Sequence, residues 1–159
     1  MNLLVPLKEL KTIRQKLKTE NKKVVFTNGV FDLIHSGHVD YLVKAKALGD
    51  ILIVGMNSDA SVRKIKGDKR PILKQDERSY ILANLKPVDY VILFDEDTPE
   101  NLIKELIPDI LVKGGDWTID KIAGKDIVIK HGGEVKFIQF VSHQSTSKII
   151  DLILKRYPK

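Results

Sequence analysis

Five short apolar runs, separated by segments with helical periodicity, limit the folds open to this chain more than any other feature. A strand that reads as a continuous apolar run is buried on both faces, as in a parallel sheet covered by helices. We therefore predict an α/β fold, a Rossmann-like, doubly wound, five-stranded parallel sheet with helices on both faces. The predicted strands are Val24–Thr27, Ile51–Val54, Tyr90–Leu93, Ile110–Val112 and Val135–Ile138.

Helices are expected between these strands and at both ends of the chain. The apolar residues of Leu7–Leu17, before the first strand, have helical spacing. This spacing predicts an extra helix within an N-terminal extension of residues 1–22. Ser58 and Thr98 are residues that cap helices, and Gly49 is typical of the position after a helix. The length of 159 residues suits a single domain over residues 1–159. The other predicted helices are Val39–Leu48, Asp59–Lys64, Asp76–Leu85, Pro99–Leu106, Ile122–His131 and Ser145–Leu154.

Composition excludes several classes of protein. There is no run of about 18 apolar residues, which argues against a membrane span, and no apolar N-terminal stretch typical of a signal peptide. The absence of cysteine excludes disulfides and cysteine-based catalysis, and it agrees with an expected cytoplasmic location. The net charge is +6, and part of it lies in a basic segment that contains Arg63, Lys64, Lys66, Lys69 and Arg70. Such a cluster suits a triphosphate, a nucleic acid or a solvated surface loop.

Polar and glycine-rich loops follow four of the predicted strands. They are residues 28–38, 55–57, 113–117 and 142–146. In a doubly wound sheet, ligands bind beyond the carboxyl ends of the strands, near the point where the strand order reverses. These loops therefore predict one binding site at a single edge of the sheet.

Two histidines flank a glycine in the first of these loops, between a strand and a helix. The N–H groups at the start of a helix attract anions, and Gly37 allows a phosphate to approach the backbone. His35 and His38 can donate hydrogen bonds to oxygens on which charge develops. Solvated loop histidines are the simpler interpretation of such a pattern, but the strand-to-helix position favours a phosphate site.

The pattern Gly29-x-Phe31-Asp32-x-x-His35-x-Gly37-His38 resembles the signature of the cytidylyltransferase-like nucleotidyltransferases. Further segments are similar to the adenylyltransferases of ADP-heptose synthesis within that superfamily. They are Asn57–Ser61, Lys66–Pro71 and Leu111–Asp116. The resemblance extends over nearly the whole chain, from about Val24 to about Leu154. It implies transfer of AMP from ATP to D-glycero-β-D-manno-heptose 1-phosphate, with Mg²⁺ arriving on the ATP, for the heptose of the lipopolysaccharide core.

The resemblance also implies roles for individual residues. The catalytic set would be His35, His38, Lys66 and Arg78. Lys64 is an alternative to Lys66, and pairing with nearby acids is an alternative role for Arg78. Asp32 would orient its loop. Ser145 would begin a second phosphate clamp at the last helix, or simply cap that helix. The implied nucleotide-binding residues are Thr27, Asn28, Gly29, Phe31, Gly37, Asn57, Asp59, Lys113, Gly114, Gly115, Asp116, Ser145, Thr146 and Ser147.

Two other functions remain open at this point. One is a cytidylyltransferase that acts on glycerol 3-phosphate or a similar alcohol phosphate. The other is a non-catalytic nucleotide-binding or nucleic-acid-binding protein, which the two histidines disfavour. For the leading interpretation the partners are ATP and a sugar 1-phosphate, without nucleic acid or membrane, and the resemblance implies a homodimer. We expect no protein-bound metal site, because no element has the spacing of two histidines and an acid.

Overall fold

The computed structural model of the chain describes residues 4–115, 122–139 and 145–158. Its strands are β1 Val24–Gly29, β2 Ile51–Asn57, β3 Tyr90–Phe94, β4 Ile110–Gly114 and β5 Glu134–Ile138. They form one five-stranded sheet in the order β3-β2-β1-β4-β5, and every neighbouring pair is parallel. This arrangement confirms the predicted Rossmann-like α/β fold.

Helices precede, connect and follow these strands. They are α1 Leu7–Thr19, α2 Ser36–Lys46, α3 Asp59–Lys66, α4 Gln75–Ala83, α5 Glu100–Leu106, α6 Lys125–Lys130 and α7 Thr146–Arg156. The extra N-terminal helix is α1, and Arg14 attaches it to the domain. The Arg14 guanidinium donates to the carbonyl oxygen of Ile107 at 2.9 Å and pairs with Asp109 at 3.0 Å. Within the described ranges, no helix is long and apolar enough to cross a membrane.

Side chains from successive strand residues enter two different apolar cores. Val24 and Phe26 of β1 pack in one core with residues of α1, α5 and α6. Val25 lies in the other core, with residues of α2 and α4. Each core covers one face of the sheet, which explains why the strands read as continuous apolar runs.

The strand order reverses between β1 and β4. The chain runs from β1 outward through β2 to β3, then returns to place β4 on the other side of β1. Six residue pairs join β1 to β2, but β1 and β4 pair only at Val25–Ile110 and Phe26–Leu111. The two strands therefore separate toward their carboxyl ends, and a crevice opens where a doubly wound sheet binds its ligands.

Several predicted boundaries were wrong for local reasons. The second helix begins at Ser36, three residues before the predicted Val39, so His38 lies in its first turn. The sixth begins at Lys125 instead of Ile122, because Gly124 has a left-handed φ of 82° that a helix does not accommodate. The fifth begins at Glu100 after Pro99, without a side-chain cap from Thr98.

Gly49 does not occupy the position predicted for it after a helix. Helix α2 ends at Lys46, and Gly49 does not have the positive φ of a glycine that ends a helix. A Cβ at this residue would lie 2.8 Å from the carbonyl oxygen of Lys23 and 2.8 Å from a methyl carbon of Val25. The glycine is therefore required by close approach to the start of β1. The cap predicted at Ser58 is confirmed, since its hydroxyl accepts from the Ser61 N–H at 3.2 Å.

Candidate active site

The histidine turn connects the carboxyl end of β1 to α2. Phe31 adopts a left-handed φ of 47°, and His35 is extended as the residue that caps α2. The carbonyl oxygen of His35 accepts hydrogen bonds from the N–H groups of His38 at 2.9 Å and Val39 at 3.2 Å. The turn therefore places both imidazoles at the amino end of a helix, where an anion is stabilised.

The two imidazole rings stack on each other. Their centroids are 3.9 Å apart and their planes differ by 28°. Burial lowers the pKa of His35, and burial together with the neighbouring His35 lowers the pKa of His38 to about 4. Both rings are therefore neutral at pH 7. Each neutral ring has one N–H donor available for a ligand oxygen.

Both rings also carry a buried nitrogen that the protein does not satisfy. The Nδ1 atoms of His35 and His38 are buried and make no hydrogen bond in the described part of the chain. Buried polar atoms nearly always have a partner in folded proteins, and exceptions mark functional positions. The pair therefore has the properties of a binding site for a polar ligand.

Asp32 anchors the end of the basic segment to the histidine turn. Its carboxylate accepts from the Arg70 Nε at 2.6 Å and from the backbone N–H groups of Ile72 at 2.8 Å and Leu73 at 3.0 Å. Burial alone would raise the pKa of Asp32, but these hydrogen bonds and the charge of Arg70 outweigh it and lower the pKa. Asp32 therefore holds residues 70–73 against the histidine turn, and a carboxylate so stabilised is a poor general base.

A crevice lies on the other side of the histidine turn, between β1 and β4. The Lys113 ammonium donates to the side-chain oxygen of Asn28 at 2.8 Å and so spans the two strands. Beneath it, the Tyr41 hydroxyl lies 2.5 Å from the Thr27 hydroxyl and donates to the Val112 carbonyl at 3.3 Å. The resulting pocket has a volume of about 110 Å³ and is lined by Asn28, Gly29, Val30, Phe31, His38, Tyr41, Lys113 and Gly114.

Comparison with known proteins identifies this arrangement. The sequence model described as cytidylyltransferase-like matches residues 26–152. The chain belongs to the cytidylyltransferase-like family. It is a nucleotidyltransferase, and the histidine turn with the adjoining crevice is its candidate active site.

Similar proteins support the assignment. The chain is 59% identical to the bifunctional protein HldE of Citrifermentans bemidjiense over 139 residues, which are 87% of this chain and 28% of that protein. It is 56% identical to the bifunctional protein HldE of Geobacter sulfurreducens over 140 residues, 88% of this chain and 29% of the relative. The chain therefore spans less than a third of the length of these two relatives.

Solved structures show the same fold. A lipopolysaccharide core biosynthesis protein from Thermoplasma volcanium is 32% identical, with a TM-score of 0.63; the match covers 77% of this chain and 99% of that one. A pantoate-beta-alanine ligase from Francisella tularensis is 15% identical, with a TM-score of 0.60, over 91% of this chain and 69% of the ligase. The second similarity concerns the fold alone.

Arg78, predicted to contact phosphate or to pair with nearby acids, is entirely buried in this nucleotidyltransferase. Its guanidinium pairs with Asp59 at 2.7 Å and donates to the carbonyl oxygens of Val30 at 2.6 Å, Asn57 at 3.0 Å and Leu73 at 3.1 Å. The structure thus places Arg78 beneath the site, where it joins the ends of β1 and β2 to the residues before α4. The side chain is inaccessible and uses four of its five N–H donors within the protein, so the structure supports the pairing alternative and a positioning role for Arg78.

Three residues predicted to bind the nucleotide, Asn57, Asp59 and Thr27, make polar contacts within the protein in this structure. The Asn57 amide is buried and donates to the Ser61 hydroxyl at 2.9 Å, and the Asp59 carboxylate pairs with Arg78. Thr27 is fully buried against Tyr41. None of the three lines the crevice pocket. Their polar groups shape the carboxyl ends of the strands.

The remaining predicted residues lie at the rim of this region or beyond it. Lys66 and Lys64 are exposed on the last turn of α3, not on a loop, and neither makes an ion pair among the described residues.

Ser145 caps α7 by accepting from the Lys148 N–H at 3.2 Å; Thr146 is buried and Ser147 is exposed. Gly37 is buried in the first turn of α2, and Gly115 has a positive φ of 91°. Asp116 lies outside the described residues, and so do residue 117 and residues 142–144 of the predicted loops.

Tyr41 and Arg70 were not singled out from the sequence as site residues. Tyr41 lies three residues after His38, on the same face of α2, so helical spacing could have indicated it. Arg70 was visible only as one member of the basic segment, because its pairing with Asp32 spans 38 residues of sequence.

Proposed function

We propose that this chain transfers AMP from ATP to D-glycero-β-D-manno-heptose 1-phosphate and releases pyrophosphate, giving ADP-heptose for the lipopolysaccharide core. The stacked pair of neutral imidazoles at the start of α2 is the observation that carries the transferase chemistry. The sugar substrate is supported by the resemblance of Leu111–Asp116 to the enzymes of ADP-heptose synthesis. The similarity to a lipopolysaccharide core biosynthesis protein agrees with it.

Transfer between phosphates requires alignment and charge stabilisation more than covalent catalysis. His35 and His38 would donate hydrogen bonds to the phosphate oxygens of ATP. The basic segment, tied to the turn through Asp32 and Arg70, would stabilise the departing pyrophosphate.

Mg²⁺ would enter with the triphosphate. In residues 4–115, 122–139 and 145–158 no group of three His, Asp or Glu side chains is arranged to hold a metal ion. Mg²⁺ often keeps several waters and binds through substrate phosphates, so such a cluster is not required. The ion would supply additional charge stabilisation to the phosphates.

The cellular context is part of the same proposal. The substrates named above are small phosphorylated metabolites, so we place the enzyme in the cytoplasm. We also propose a homodimer. Exposed apolar side chains on α7 and directly after it, such as Leu154 with 62% exposure and Tyr157 with 76%, are compatible with a subunit contact.

A substrate panel tests the proposed reaction. Pyrophosphate release would be measured with ATP and CTP, each combined with heptose 1-phosphate and with glycerol 3-phosphate. We expect a kcat/KM for ATP with heptose 1-phosphate at least about tenfold above any other combination, because a polar base pocket discriminates strongly against the wrong base. Preference for CTP with glycerol 3-phosphate would instead establish a cytidylyltransferase, the activity for which this family is named.

Binding measurements separate the non-catalytic alternative. A nucleic-acid-binding protein would bind duplex DNA or RNA with an affinity that falls steeply with salt, and it would release no pyrophosphate with any pair of substrates. The transferase is expected to release pyrophosphate only when both nucleotide and acceptor are present.

A further inference from the structure

Tyr41 lies at the point where the crevice opens, and its hydroxyl contacts both strands that form the crevice. The last residue pair between β1 and β4 is Phe26–Leu111. In the same register the next pair would be Thr27 and Val112, where the ladder has already ended. The Tyr41 hydroxyl lies 2.5 Å from the Thr27 hydroxyl and donates to the Val112 carbonyl at 3.3 Å. A side chain from α2 therefore joins the two strands where their direct pairing stops.

We propose that Tyr41 is a positioning residue for nucleotidyl transfer, which holds the crevice at a fixed width and fixes the helix of His38 against it. This inference rests on the proposed function, because it requires the nucleotide and the acceptor to meet beside the histidine turn. It adds a residue that acts on the reaction through the groups it holds in place.

The position of Tyr41 on α2 connects the histidine turn to the crevice. His38 and Tyr41 are three residues apart, so they lie on the same face of the helix. Both line the crevice pocket. Because the Tyr41 hydroxyl is bonded to β1 and β4, the helix cannot rotate or slide without breaking these contacts. The His38 ring is therefore oriented toward the crevice before the substrates bind, as a preorganised donor requires.

The properties of the Tyr41 hydroxyl suit a positioning role better than acid–base chemistry. Only 3% of the residue is exposed, and Thr27 is fully buried beside it. Burial raises the pKa of Tyr41 to about 12, so the hydroxyl keeps its proton at pH 7. A carbonyl oxygen can only accept, so Tyr41 gives its proton to the Val112 carbonyl and can accept the proton of the Thr27 hydroxyl.

Loss of this hydroxyl should affect catalysis more than substrate binding. Transfer requires the attacking and leaving oxygens to be in line at the phosphorus, and a small misplacement lowers the rate strongly. Without the phenol oxygen, the buried Thr27 hydroxyl and Val112 carbonyl lose a partner, and the strand ends shift to relieve this. The groups that contact the substrates remain present. The error in alignment therefore appears in kcat.

Kinetics with both substrates varied test the proposal. Tyr41→Phe removes the hydroxyl and keeps the ring, and Thr27→Val removes its partner at nearly constant shape; the two are also combined in a double variant. Thr27→Ser keeps the hydroxyl. The matched control is Ser79→Ala, which also deletes a buried hydroxyl bonded to a backbone carbonyl, that of Asp76, but on α4. The reagents are the nucleotide and acceptor that the wild-type chain turns over in the substrate panel.

For Tyr41→Phe we expect kcat to fall about 10- to 100-fold, the scale for a misplacement of the reacting groups. Each KM should change by less than about threefold, since the substrate contacts remain. Thr27→Val should lower kcat in the same way, and Thr27→Ser should recover most of it. The double variant should be no slower than the slower single variant, because both changes break one network. Ser79→Ala should keep the wild-type kcat.

Several results would overturn the proposal. They are a wild-type kcat in Tyr41→Phe, a raised KM at constant kcat, which would indicate direct substrate contact, and losses that multiply in the double variant. An equal loss of kcat in Ser79→Ala would reduce the effect to general destabilisation. If Tyr41→Phe does not fold, the comparison of Thr27→Val with Thr27→Ser decides, and equal kcat in the two contradicts the proposal. Absence of turnover by the wild type with every substrate pair would instead overturn the proposed function itself.

Discussion

The imidazoles of His35 and His38 stack with their centroids 3.9 Å apart. Stacking fixes the orientation of both rings before any substrate arrives, and preorganised donors lower a barrier more than donors that must reorient. The same contact contributes to the lowered pKa of His38, because two adjacent rings resist carrying two positive charges. The geometry thus favours neutral imidazoles that act as hydrogen-bond donors.

The first prediction concerns these donors. His35→Ala and His38→Ala should each lower kcat about 10²- to 10³-fold, equivalent to about 2.7 to 4 kcal/mol of barrier. The measurement is pyrophosphate release at saturating substrates, with circular dichroism to verify the fold. His131→Ala is the control, since His131 is exposed at the end of α6, away from the histidine turn, and its ring forms a hydrogen bond with the Ile127 carbonyl of its own helix. Near-normal turnover of both site variants would exclude the proposed role.

A second prediction follows from the pKa of His38 near 4 in the folded chain. The unfolded chain has an ordinary value of about 6.5, so between pH 6.5 and 4 it binds more protons than the folded chain. Stability should therefore fall as the pH falls through this window, by up to about 3 kcal/mol, and by less after solvent screening.

Urea denaturation at pH 7 and pH 5 measures this effect. The wild-type chain should lose more stability on acidification than His38→Gln, which lacks the titrating group. His131→Gln removes an exposed histidine outside the site and serves as the matched control. Equal losses in the wild type and His38→Gln would mean that His38 does not titrate as described.

The sheet could be predicted well because each strand contains a short apolar run that is visible in the local sequence. Short apolar runs such as Ile51–Val54 can be recognised without knowledge of the rest of the chain, and the histidine turn follows directly from β1. The carbonyl partners of Arg78 could not be predicted, because the sequence shows an arginine near acids but not the three carbonyl oxygens around it. Those partners belong to segments up to 48 residues away, and only folding brings them together.

The glycines illustrate the same limit. Gly49 follows a helix in sequence. A glycine is required there, however, because the carbonyl oxygen of Lys23, 26 residues earlier, leaves no room for a Cβ. Gly132, by contrast, follows the local rule, because its positive φ of 80° directly after α6 is typical of a glycine at the end of a helix. Local rules therefore succeed where the constraint is local backbone conformation and fail where it is tertiary packing.

The third prediction tests the buried guanidinium. Arg78→Met should destabilise the chain by about 3 to 5 kcal/mol, the cost of breaking a buried ion pair and leaving its partners unpaired. Arg78→Lys keeps the charge but not the fork of donors, so it should recover only part of the loss. Arg63→Met, at an exposed position on α3, is the matched control. Denaturant unfolding supplies the values, and a loss below about 1 kcal/mol for Arg78→Met would contradict the positioning role.

The last prediction concerns the basic segment, which we expect to close over the triphosphate. Closure excludes water and brings Lys66 or Lys64 to the phosphates. Trypsin should therefore cleave within residues 63–70 more slowly with ATP than without it, as identified by N-terminal sequencing of the fragments. Asp32→Asn should accelerate cleavage in the absence of ATP, because the charge that holds Arg70 is removed while the side chain keeps its shape.

Asp40→Asn serves as the matched control, since Asp40 pairs with Lys44 one turn away on the surface of α2. In this variant both the cleavage rate and its response to ATP should match the wild type. In Asp32→Asn the KM for ATP should also rise, since closure must then order a segment that Asp32 no longer anchors. Cleavage at an equal rate with and without ATP in the wild type would leave the basic segment without a role in closing the site.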